Sequence, residues 1–318
     1  MSRPGESAGT AAEGTATEGT ATEAAAAATG SADGPRVVAV GGGHGLAASL
    51  RALRTYAGDI TAVVSVADDG GSTGRLRAAA DRPAPGDLRK CLVALAEPGS
   101  RLATAMEHRF DAGELEGHAF GNLLIVALDE SGGDLVAALD EIGALLGAVG
   151  RVLPSTTHTV ALHASRGTGE QVEGQVSVSA CRDIGTVHLE PAAPAPAEAL
   201  AAIAAADQIV LGPGSLFTSV LAATAAGGIA DAIAASTGTL VYVCNLRPQV
   251  PETDGYDVAA HVAALERHGL HPDVVLYDPD AIGVAHDVPR AVAAPLARPS
   301  GLAHDPELLG KALEGLLG

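Results

Sequence analysis

Four short, uninterrupted apolar runs set the pattern of this chain: RVVAV at 36–40, a β-branched run at 60–66, QIVL at 208–211 and TLVYVCN at 239–245. Each stops abruptly at polar or glycine-rich positions. Runs of this length without polar alternation predict strands buried on both faces, as in a parallel sheet. Between them apolar residues return at helical spacing. Leu46, Leu50 and Leu53 do so after the first run, and LRKCLVALAEP reads as a helix with Asp87 as its N-cap. Residues 101–110, 134–147, 198–206 and 258–268 read as further helices, and 306–317 as a closing one. The alternation predicts an α/β fold with a Rossmann-like, mostly parallel sheet flanked by helices. From 151 to 191 the pattern changes. VLPSTTHTVALHA, QVEGQVSVSA and GTVHLEP alternate or are β-rich, with glycine breaks between them. This predicts a small antiparallel insert. DVVLY at 273–277 is the last strand candidate.

Composition adds limits. Residues 1–34 contain near-repeats such as EGTATEGTATE and no periodic apolar face, so they read as a disordered low-complexity tail, with 35–318 as a single domain. The tail lacks the apolar core of a signal peptide, and no run of about 18 apolar residues predicts a membrane span. A net charge of −19 argues against nucleic-acid binding and against an anionic membrane surface. Cys91, Cys181 and Cys244 are widely spaced and odd in number, which fits a reducing cytoplasm.

The chemistry gathers where the four strands end. The first is followed by Gly41, Gly42, Gly43, His44 and Gly45 and then a helix, an arrangement that points helix N-terminal N–H groups at an anion. It nearly matches the dinucleotide fingerprint, except that Leu46 stands where the third glycine belongs. Asp68 lies 23 residues after Gly45, about where a ribose-binding acid would stand, so a nicotinamide or flavin enzyme competes as a reading. The second strand ends in Asp68, Asp69, Gly70, Gly71, Ser72, Thr73, Gly74 and Arg75. Glycines admit a ligand to the main chain, hydroxyls and arginine suit phosphate, and the acids suit magnesium, a ribose or a proton. The third strand runs into Gly212, Pro213, Gly214 and Ser215, with Thr218 beyond, another candidate phosphate loop that lacks the lysine of a P-loop. The fourth ends in Asn245, followed by a loop with Thr253 and Tyr256. Asn122, at the mouth of an apolar helix, is a cap or a ligand contact. The second and third loops alone are equally turns, whereas three glycines in a row plus Gly45 make plain packing the lesser reading of the first. Four converging at one sheet edge predict a nucleotide or nucleotide-sugar site. No nucleophile elbow is present, since Leu216 follows Gly214-Ser215.

Taken in order, VAVGGGHGLAASLRAL, ITAVVSVADDGGSTGRLR, APGDLRKCLVALAE, GHAFGNLL, RVLPST, ADQIVLGPGSLFTSV and VYVCN with ETDGY resemble the gluconeogenesis factor family (YvcK-like). That family falls in the superfamily of the 2-phospho-L-lactate transferase CofD. The resemblance implies a cytoplasmic bacterial protein that binds UDP-sugars such as UDP-N-acetylglucosamine and serves carbon metabolism, cell shape and peptidoglycan synthesis. It implies no obligatory cofactor; the transferase branch uses magnesium and a nucleotide-activated donor, with Asp68 and Asp69 in the acidic position by match. The first loop of the family more often reads GGGTG. His44 replaces that hydroxyl, with an imidazole that donates to phosphate when protonated. After His268 the aromatic and basic residues of relatives have no clear counterpart. The resulting expectation is a nucleotide-sugar-binding regulator acting on an unidentified protein partner or through homo-oligomerisation, with a magnesium-dependent transferase as the alternative.

Overall fold

The computed structural model describes residues 33–70 and 82–317. Strand β1 (Arg36–Gly41) is buried from its second residue onward, and α1 (Gly43–Leu53) returns across the sheet to β2 (Asp59–Val64). A helical block follows: α2 (Pro85–Leu95), α3 (Arg101–Glu107), α4 (Phe120–Gly132) and α5 (Leu135–Leu145). It leads into β3 (Arg151–Pro154). The insert comprises β4 (Ala161–Arg166), β5 (Gln171–Glu173), the short helix α6 (Gln175–Ser179) and β6 (Ile184–Glu190). Helix α7 (Ala197–Ala205) then returns the chain to β7 (Gln208–Leu211). A π-wound turn over Leu216–Leu221 and helix α8 (Ile229–Ala235) precede β8 (Thr239–Val243). Helix α9 (Val258–Arg267), β9 (Val274–Tyr277), β10 (Ala291–Ala293) and α10 (Pro306–Glu314) complete the described chain.

The main sheet has seven strands in the order β10-β9-β8-β7-β1-β2-β3, all paired in parallel. Val38 of β1 registers with Thr61 on one side and Ile209 on the other, which makes β1 a central strand. The chain runs outward from β1 through β2 to β3, then restarts on the far side with β7. The topological switch therefore lies between β1 and β7, where open α/β sheets bind ligands. The three-stranded sheet is antiparallel, in the order β5-β4-β6.

The α/β expectation holds, with local corrections. Residues 151–154 are not part of the insert: β3 pairs in parallel with β2, so the insert narrows to 161–190. Residues 175–179 form a helical turn, although Gln175–Ser179 alternates like a strand. Asp87 is not an N-cap. Helix α2 begins two residues earlier, with Pro85 in its first turn, where the missing N–H is not needed. The short strand β10 is not visible in the sequence pattern. No helix among the described residues is long and apolar enough to cross a membrane.

Candidate functional site

The loops after β1 and β7 touch. A Cβ on Gly45 would overlap the Pro213 carbonyl, so only glycine permits this approach. Ser49 of α1 reinforces the contact by donating to the Gly212 carbonyl at 2.6 Å. From the β8 end, Asn245 brackets the second loop. Its Oδ1 accepts from the Gly214 N–H at 3.1 Å, and its Nδ2 donates to the Gly214 carbonyl at 2.8 Å. Gly41–Gly45, Gly212–Ser215 and Asn245 thus stand together at the switch.

The helix end beyond Ser215 is not an open anion site. Glu252 is buried and reaches into it: Oε1 accepts from the Phe217 N–H at 2.8 Å and from the Thr218 N–H at 3.3 Å. Its Oε2 accepts from the Thr218 hydroxyl at 2.9 Å. Burial pushes the Glu252 carboxyl above its ordinary range, and these hydrogen bonds pull it partly back. Thr253 is likewise buried, and its hydroxyl accepts from the Gln249 N–H at 2.8 Å. Tyr256 lies edge-on to Phe217 with ring centroids 6.3 Å apart. Thr218, Thr253 and Tyr256 therefore build the loops from within.

The acidic pair diverges. Asp68 Oδ1 accepts from the Gly70 N–H at 2.9 Å, and burial raises its carboxyl, with Asp87 adding to the rise and Lys90 opposing it. Asp69 turns the other way, its Oδ1 accepting from the Val176 N–H of α6 at 3.0 Å. One oxygen of each carboxylate is thus taken by main chain, Asp68 within its own turn and Asp69 on α6. Asp87 instead approaches the first glycine loop: a Cβ on Gly42 would lie 2.7 Å from its Oδ2. Lys90 Nζ sits 3.0 Å from Asp87 Oδ1. The Lys90 charge, followed by partial desolvation, lowers the pKa of His44, opposed by Asp87. Asn122 is buried, with its Oδ1 accepting from Arg89 Nε at 3.0 Å. Gly71, Ser72 and Arg75 lie outside the described residues.

A cleft of about 680 Å³ opens at the switch, between the His44–Gly45 turn, Pro213–Gly214, the 245–250 loop and residues 302–304. Its rim carries two exposed apolar side chains, Val250 at 70% and Leu302 at 62%. His44, Asn245, Arg247 and Gln249 supply polar groups. Apolar walls with a few convergent polar groups are the ordinary makeup of a small-molecule site. Sequence reasoning missed Gln249, Val250 and residues 302–304. They stand in no recognisable motif, and only the fold brings them to the loops. His304 is buried behind them, with its Nε2 donating to the Cys244 carbonyl at 3.3 Å, and burial lowers its pKa to about 4.

Comparison with known proteins adds four findings. The family model described as 2-phospho-L-lactate transferase CofD matches residues 37–293. A gluconeogenesis factor from Halalkalibacterium halodurans is 43% identical over 247 residues, which is 76% of this chain and 77% of that one. A relative in Nostoc sp., also described as a gluconeogenesis factor, is 44% identical over 238 residues, 73% of this chain. The match spans 52% of the Nostoc protein's own length. A crystal structure of a UPF0052 family member from Bacillus halodurans superposes with a TM-score of 0.83 at 35% identity, over 89% of this chain and 99% of that one. The chain belongs to the 2-phospho-L-lactate transferase CofD family, among relatives named gluconeogenesis factor.

Proposed function

We propose that the protein is a cytosolic regulator that binds a nucleotide-sugar of the UDP-N-acetylglucosamine type in the cleft at the β1/β7 switch. The cleft itself carries the reading. Its apolar rim at Val250 and Leu302 suits the faces of a base, and His44 and Gln249 line the same cleft with polar groups for the rest of the ligand. Arg247 offers a cation at the rim. Occupancy would be read by a protein partner or by a second copy of the chain, through the ligand's unequal affinity for two conformations. The roles in cell shape and wall synthesis under gluconeogenic growth belong to this same proposal.

One observation favours a second reading. Asp68 is a carboxylate whose proton affinity is raised by burial, a property suited to accepting a proton from an acceptor hydroxyl in a transferase. Thermal-shift titration with UDP-N-acetylglucosamine, UDP-glucose, GTP and NAD, with and without magnesium, separates the readings. Ligand at about 100 times its dissociation constant adds roughly 2.7 kcal/mol. For a domain of this size that is a rise of roughly 5–10 °C. A rise with UDP-sugars and no ligand consumed supports the regulator. A rise only with the guanine nucleotide and magnesium supports the transferase, and a response to NAD alone would overturn both.

A further inference from the structure

The exposed face of the insert sheet carries a second constellation, remote in character from the cleft. His163 on β4 pairs directly with His188 on β6, so the two side chains leave the sheet on the same face. Their ring centroids lie 5.5 Å apart, with the planes tilted by 32°. Two residues along β6, strand alternation returns Glu190 to that face, diagonal to His163. Its Oε2 lies 3.6 Å from His163 Nδ1. One ligand atom from each of the three residues falls within 4.8 Å of the other two, and among the described residues no other histidine, cysteine or carboxylate group of three does so.

We infer that His163, His188 and Glu190 form a surface site for a borderline divalent transition metal such as zinc. Two imidazoles and one carboxylate are a familiar ligand set for zinc, which takes nitrogen at about 2.0–2.1 Å and carboxylate oxygen at about 2.0–2.2 Å. Closing from the present spacing needs only side-chain rotation, chiefly of Glu190, which is 64% exposed. The two histidines are held by a regular antiparallel ladder that also pairs Ala164 with Val187, so the backbone beneath them is already fixed. Three protein ligands leave coordination positions for solvent or an external donor. Imidazole selects zinc, nickel or copper over magnesium, which prefers an all-oxygen shell.

The test uses the full chain, with zinc chloride as the probe in calorimetric titration and cobalt(II) as a spectroscopic substitute. One equivalent of zinc should bind, cobalt should give an absorption band of tetrahedral character, and magnesium should give no signal. His188→Ala removes an exposed side chain and should leave the metal-free melting temperature unchanged. It should weaken zinc by more than the roughly 10–100-fold that even outer-shell changes cause. Glu190→Gln should weaken it while both imidazoles still ligate. Absence of zinc binding in the unaltered chain would overturn the inference, as would an undiminished one-equivalent affinity in His188→Ala.

Discussion

His304 shows how a single residue at the cleft couples to folding. It lies behind the rim, 8% exposed, and burial holds its pKa near 4 against an ordinary value of 6.5. The unfolded chain therefore takes up a proton between pH 6.5 and 4 that the folded chain refuses. Stability contributed by the neutral imidazole is complete above pH 6.5 and is lost as pH falls toward 4. A shift of that size corresponds to at most about 3 kcal/mol. His304→Gln keeps a donor for the Cys244 carbonyl and cannot titrate, so its stability should be flatter over this window. Urea unfolding of both proteins at several pH values measures the difference, and parallel curves would show that His304 titrates alike in the folded and unfolded chain. Glu252 makes the complementary point about legibility. Its place within ETDGY is plain in the sequence, yet a buried carboxylate closing a helix end cannot be told there from an exposed one reaching for a ligand.

At the scale of elements, the strands were the most legible part. RVVAV, QIVL and TLVYVCN are apolar on both faces because parallel strands in this sheet are covered on both sides, and the structure places all of them in the core. Residues 151–154 join β2 rather than the insert, a difference invisible in composition, which reports that a segment is extended but not which strand it joins. Helix α6 was misread for a different reason. Gln175–Ser179 alternates like a strand locally, and a residue more than a hundred positions away, Asp69, supports the helical turn by accepting from the Val176 N–H. This contact yields a prediction for the element. Asp69→Ala leaves that N–H without its acceptor and should destabilise the fold by about 1 kcal/mol, as loss of a helix cap does. Amide exchange should accelerate mainly across residues 174–180, and Asp69→Asn, which keeps an acceptor oxygen, should be milder. Affinity for a ligand in the cleft should be unchanged in Asp69→Asn. A collapse of that affinity would return Asp69 to the binding site.

The whole molecule explains why the site is built from parts far apart in the chain. The sheet is laid down outward from β1 in both directions, so its two central strands come from opposite halves of the sequence. The His44–Gly45 turn belongs to the first half, and the 213–215 and 245–250 loops to the second. The 302–304 wall arrives last, just before α10, which docks on the first half of the molecule. Gln208 ties that docking together: its Nε2 donates to the Leu313 carbonyl at 3.0 Å, and its Oε1 accepts from the Tyr56 hydroxyl at 2.5 Å. A ligand in the cleft would therefore touch loops from both halves of the chain at once, and should slow their opening together. Amide-exchange measurements with saturating UDP-N-acetylglucosamine should show protection at 43–48, 213–215, 245–250 and 302–304, and none across the insert strands β4 and β6. Protection confined to 68–70 and 174–180 would instead place the ligand beside the acidic pair. That outcome would favour proton transfer at Asp68 over sensing at the switch, because partial burial raises the proton affinity of that half-buried carboxylate.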